Sequence, residues 1–122
     1  MKKINLNDKF SLFDEHWSPK ILTELNNQYV KIAKVNGEFV WHAHADEDEL
    51  FFVVKGRLLI DVKDHETIDL GVGEMTVIPK KTQHRPYTQD GIETWIMLIE
   101  PKTTRHTGEV QNHLTNNEEK FI

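Results

Sequence analysis

Between residues 21 and 100, apolar and polar residues alternate in short runs broken by turn formers, the pattern of a sandwich or barrel built from strands. Residues 28–35 alternate cleanly and stop at Asn36-Gly37, which predicts a hairpin turn. Residues 50–54 form a continuous apolar run, as in a strand covered on both faces. Gly56 interrupts that run and residues 58–62 resume it, predicting a second tight hairpin. Asp64-His65 marks a further turn, and residues 67–70 lead to Gly71-Val72-Gly73. Residues 75–78 end at Pro79, whose missing N–H suits the end of a strand. Residues 94–99 read as a final strand closed by Pro101, giving about eight or nine strands in all.

The two ends break this pattern. Residues 7–17 are expected to hold one or two helical turns, capped by Asn7 or Asp8 and stopped by Pro19. The chain therefore divides into an N-terminal segment (1–20), an all-β barrel (21–101) and a polar C-terminal arm (102–122). The arm is expected to be disordered or to lie extended on the barrel or on a partner subunit.

Composition narrows the chemistry. With 122 residues the chain fits one domain and one modest core. It has no cysteine, so disulfides, thiolate metal sites and cysteine nucleophiles are excluded and any metal must be held by nitrogen and oxygen. A formal charge of −5 with only small basic clusters argues against nucleic acid as a partner. No apolar run approaches a membrane helix and no apolar stretch follows Lys2-Lys3, so the expected location is cytoplasmic, with no membrane partner.

Four residues stand out: His42, His44, Glu49 and His84. Three imidazoles and one carboxylate suit one divalent transition metal such as Fe, Mn, Ni or Zn. On a strand, His42 and His44 point to the same face, with small Ala43 and Ala45 beside them. Asp46, Glu47 and Asp48 are rival carboxylates, read as solvated in a connecting loop. If Glu49 points inward, Phe51 and Val53 share its parity and line an apolar small-molecule pocket.

Trp95 and Met97 share a parity on the last strand and are assigned to the pocket floor, with ordinary core packing an equal alternative. His16, His65, His106 and His113 lie near turns or in polar tails and are read as solvated. Trp41, Arg85 and Tyr87 are expected to face away from the site. Phe52, Val54 and Val62 are expected on outer faces apolar enough to bury, which favours a homodimer.

The stretch from Gly37 through His42-Ala-His44 and Glu49 to Gly56, together with Gly73, Pro79 and His84, resembles the paired motifs of the cupin superfamily. Its spacing selects Glu49 over Asp48, because Gly56 then follows after six intervening residues. The likeness spans residues 37–88 by motif and extends to Pro101 by strand pattern, and it looks most like the compact single-domain microbial cupins. Three positions depart from the pattern: Gly37 stands one residue nearer His42, Lys81 replaces a glycine and Thr88 replaces an asparagine.

The resemblance implies a jelly-roll, or double-stranded β-helix, barrel with the four residues as metal ligands. It leaves three functions open. One is a metal-dependent oxygenase or isomerase/lyase acting on a small organic molecule. Another is a carrier or sensor that binds without turnover. The last is a metal-binding protein whose surface contacts a partner.

Overall fold

The structure is a computed structural model that describes residues 1–108, 110 and 118–122. Two sheets face each other. The larger has the order β6-β3-β8-β2-β1-β9, and the smaller has the order β5-β4-β7. The larger comprises β1 (Lys20–Leu25), β2 (Gln28–Val35), β3 (Glu49–Lys55), β6 (Met75–Ile78), β8 (Thr94–Pro101) and β9 (Lys120–Phe121). The smaller comprises β4 (Leu58–Val62), β5 (Ile68–Leu70) and β7 (His84–Tyr87). This is the expected all-β jelly-roll.

Alternation along the strands assigns the faces. In β3 and β8 buried residues alternate with half-buried ones, so Glu49, Phe51 and Val53 lie beside Thr94, Ile96, Leu98 and Glu100 on the inner face of the larger sheet. Phe51, Val53, Ile96 and Leu98 join Ala33, Val35, Phe39, Leu58, Ile60, Leu70 and Ile78 in the central core. Val62 also packs against this core, so its expected place on an outer face is corrected.

Both predicted hairpins prove to be crossovers between the sheets. β2 pairs with β1 and β8 and has no hairpin partner after Gly37, while β3 and β4 belong to different sheets. Gly56 makes the second crossover possible. Its φ is +85°, and a Cβ there would stand 2.6 Å from Thr94 Oγ1, so only glycine fits without displacement. Turn residues mark where a strand ends but not which sheet receives the chain next.

The N-terminal segment covers the outer face of the larger sheet. Helix α1 (Leu6–Phe10) is capped by Asn5, whose Oδ1 accepts from the Asp8 N–H at 3.0 Å, so the cap falls earlier than at Asn7 or Asp8. Five residues cannot sustain a helix on propensity alone, and α1 is held by packing. Phe10 is fully buried, stacks on Trp95 at 4.6 Å and gathers Phe13, Leu22 and Ile32 into a second apolar cluster that Val54, Trp95 and Met97 border.

At the other end, β9 pairs in parallel with β1, Lys20 opposite Lys120 and Ile21 opposite Phe121. The last residues of the chain thus return to the barrel. No described helix is long and apolar enough to cross a membrane.

Phe10→Ala removes the buried centre of the second cluster and is expected to cost about 3–5 kcal/mol. Urea denaturation reads this directly, and a loss below about 1 kcal/mol would show that the segment contributes little to the fold.

Candidate metal centre

Residues 38–42 run antiparallel along β7, bridged at Glu38↔Tyr87 and His42↔His84. His42 and His84 exchange backbone hydrogen bonds of 3.0 and 2.9 Å, which sets their imidazoles side by side with ring centroids 4.3 Å apart. His44 continues inward from the same segment, and its carbonyl accepts from the Lys81 N–H at 2.7 Å. Glu49 enters from the first position of β3, in the opposite sheet.

Two departures from the family motif acquire physical roles here. Lys81, at the glycine position, adopts φ +67°, the left-handed region for which glycine is suited, while its amide holds His44 in place. Thr88, at the asparagine position, is buried and its Oγ1 accepts from the Gly37 N–H at 2.7 Å. The Thr88 amide returns a bond to the Gly37 carbonyl at 2.9 Å, tying the start of the first motif to the end of the second.

His42, His44, Glu49 and His84 are all buried, and one ligand-type atom from each lies within 4.8 Å of the others. His42 Nδ1 lies 2.9 Å from the Val40 carbonyl and His84 Nδ1 lies 2.8 Å from the Thr82 carbonyl. A carbonyl only accepts, so both Nδ1 atoms carry the proton and donate, leaving each Nε2 with a lone pair. Those Nε2 atoms, together with both His44 nitrogens and Glu49 Oε1, have no hydrogen-bond partner among the described residues.

Glu49 Oε1 lies 3.3 Å from His44 Nε2 and 3.5 Å from His84 Nε2, without the geometry of hydrogen bonds. Buried polar atoms left without partners are costly. Here the orphaned atoms are one carboxylate oxygen and three imidazoles around a common centre, and that donor set fits a divalent transition metal. The rival acids stay outside. Asp46 and Asp48 are exposed, and Asp48 accepts from the Lys80 amide at 2.8 Å.

The electrostatics favour ligand readiness. Burial and the neighbouring His84 lower the pKa of His42 to about 4, against bonding to Val40 that raises it. Burial pushes Glu49 upward, but its interactions with the neighbouring polar groups of Glu100, His44 and His84 outweigh this and hold it well below the ordinary carboxylate range. Glu100 moves the opposite way, raised by its own burial and by the charge on Glu49.

Beside the ligands lies a small cavity of ≈ 30 Å³, lined by Trp17, Phe39, Phe51, Ile96 and Leu98 together with His42, Glu49 and His106. Phe51 lines it as expected, whereas Val53 lies deeper in the core and does not reach the cavity. Trp95 and Met97 do not line it either. They occupy the outward parity of β8 and pack under the N-terminal segment, while Ile96 and Leu98 face the cavity instead.

His106 corrects the solvated assignment. It is buried, and its ring sits 5.6 Å from that of Phe39. Gly108, with φ +61°, presses against Ala43 so closely that a Cβ would meet the Ala43 carbonyl oxygen at 2.2 Å. The Thr103 hydroxyl donates to Glu47 at 2.7 Å, which pins the other end of the same segment. Nothing local in a polar stretch signals this; the contact is tertiary. His113 lies outside the described residues.

The comparisons with known proteins agree with this architecture. The family model for the cupin domain matches residues 29–99, and the chain belongs to that family. It is 43% identical over 81 residues to the uncharacterized protein YdbB of Bacillus subtilis (strain 168), covering 66% of this chain and 70% of that protein. A cupin-2 domain containing protein from Shewanella frigidimarina is 52% identical, with a TM-score of 0.77 over 81% of this chain and 94% of that one. Protein NMB1881 from Neisseria meningitidis is 30% identical, with a TM-score of 0.74 over 83% of this chain and 100% of that one.

The depressed His42 pKa fixes a sign. The unfolded chain takes up this proton near 6.5 and the folded one near 4, so His42 contributes stability above that window that is lost as pH falls through it. In the metal-free protein, imidazole nitrogen shifts are expected to show His42 neutral down to pH 5, with a midpoint at about 4. A midpoint at 6.5 would contradict the dry, donor-poor surroundings described above.

Proposed function

We propose that this cupin is a metal-dependent enzyme, an oxygenase holding Fe(II) on His42, His44, Glu49 and His84 and acting on a small, largely apolar organic molecule. One observation carries the reading: unpartnered ligand atoms of four residues converge, and two of those residues, His42 and Glu49, line a cavity that is otherwise almost wholly apolar. A ferrous ion held by these four residues would supply one-electron and dioxygen chemistry.

The chain's own residues divide the remaining work. Trp17, Phe39, Phe51, Ile96 and Leu98 exclude water and offer flat apolar surface to a ring or short chain. Among the residues lining the cavity, His106 adds an imidazole beyond the ligands, a group able to hydrogen-bond a substrate substituent. Phe39 braces both, its ring edge-on to His42 and tilted against His106. Glu49, held ionised, offers an anionic oxygen at neutral pH. A cavity of ≈ 30 Å³ holds roughly one water, so binding an organic molecule requires its lining to open.

Oxygen-electrode measurements on Fe(II)-loaded protein with a panel of small phenols, enols and keto acids test the proposal. Uptake with at least one compound is expected. His84→Ala should abolish it, and His106→Phe should raise KM about tenfold or more, as the loss of one substrate hydrogen bond to a buried partner would. Turnover under Mn(II) without oxygen uptake would move the reading to an isomerase or lyase. Tight binding without turnover under any metal would move it to a carrier.

A further inference from the structure

Behind the metal-ligand cluster lies a second set of charges that ligation does not use. Lys31 on β2 is fully buried, and its Nζ lies 2.7 Å from Glu100 Oε1 and 2.6 Å from Glu119 Oε1. Glu100 is itself 1% exposed. Sheet register explains the arrangement. β3 and β8 pair Phe51 with Leu98 and Leu50 with Ile99, and one step further sets Glu49 opposite Glu100. β2 and β8 pair Tyr29 with Glu100 and Lys31 with Leu98, so Lys31 reaches Glu100 along the diagonal of the same inner face.

Glu119 comes from elsewhere in the chain. It immediately precedes β9, which is anchored by parallel pairing to β1, by the Ile122 amide on the Ile21 carbonyl at 3.1 Å and by Lys9 Nζ on the Ile122 carbonyl at 2.7 Å. Lys31 pairs with Ile21 on that same β1. The C-terminal strand thereby brings Glu119 to Lys31, the cation paired with Glu100.

Burying an ammonium and two carboxylates costs several kcal/mol per ion before pairing, and apolar residues of similar volume commonly serve stability as well or better. Fold stability alone is therefore a weak reason for this set of charges. What it does is fix one side of Glu49. Strand register sets Glu100 beside Glu49 on the same inner face, Lys31 bonds Glu100, and Glu119 shares Lys31 with it.

We propose that Glu119 is a positioning residue for the metal centre, acting through Lys31 and Glu100 on the ligand oxygen of Glu49, so that the C-terminal strand is a working part of the site. The inference rests on the metal assignment of the four ligands. It goes beyond that assignment by including residues separated from it by two side chains.

The test uses full-length Co(II)-loaded protein, with affinity read by competition against a chromophoric chelator and geometry read from the visible d–d spectrum. Glu119→Gln and Lys31→Met are each expected to weaken Co(II) binding about tenfold, the low end for loss of an outer hydrogen-bonding partner of a ligand, and to shift the d–d bands. Glu119→Asp should recover part of both. Circular dichroism identifies which variants are folded; Glu119, at the barrel's edge, is the substitution expected to fold in any case. Wild-type affinity and spectrum in the folded variants would overturn the proposal, even with a lowered melting temperature. A wild-type protein that binds no Co(II) would instead overturn the metal assignment, a separate outcome.

Discussion

The structure is organised around a desolvation problem. Three imidazoles and a carboxylate are withdrawn from water at one point and do not hydrogen-bond each other. An apolar barrel tolerates unpaired polar atoms only when something else meets their demand, since each costs on the order of 1–3 kcal/mol. The surrounding construction serves to hold these atoms in place. Backbone carbonyls of Val40 and Thr82 orient two imidazoles, Lys81 adopts a left-handed backbone to secure His44, and sheet register fixes Glu49.

The same constraint explains why the charges are layered. Glu49 is held toward its charged form by its neighbours although burial opposes this, while burial beside Glu49 pushes Glu100 the other way. Lys31 keeps a raised pKa although burial opposes it, because Glu100 and Glu119 both face it. Each group is stable only in the company of the next. The layers run from the interior to the terminal strand without an apolar break.

How much of this the sequence reveals depends on whether the determining contact is local. Glu49 is legible because motif spacing selects it over its acidic neighbours, and Phe51 follows from sharing its strand parity. Trp95 and Met97 were misassigned because both faces of β8 are apolar, so alternation cannot say which points inward. The deciding factor is α1 and Phe13, distant in sequence, which cover the outward face. β7 was hidden by Pro86, which reads as a break in a short strand although the neighbouring segment accepts it there. His106 and Glu119 lie in a polar stretch with no periodicity, and only the folded chain brings them to the barrel. Gly56 and Gly37 were correctly read as turns yet wrongly as hairpins, since sheet membership is a property of the whole barrel.

X-ray absorption at the metal edge of zinc-loaded protein tests the central claim most directly, because it counts ligands without requiring a substrate. The account predicts three imidazoles and a carboxylate oxygen at about 2.0–2.2 Å, with one imidazole lost in His44→Ala. A shell of oxygens without imidazole scattering, or a spectrum unchanged by that substitution, would contradict it.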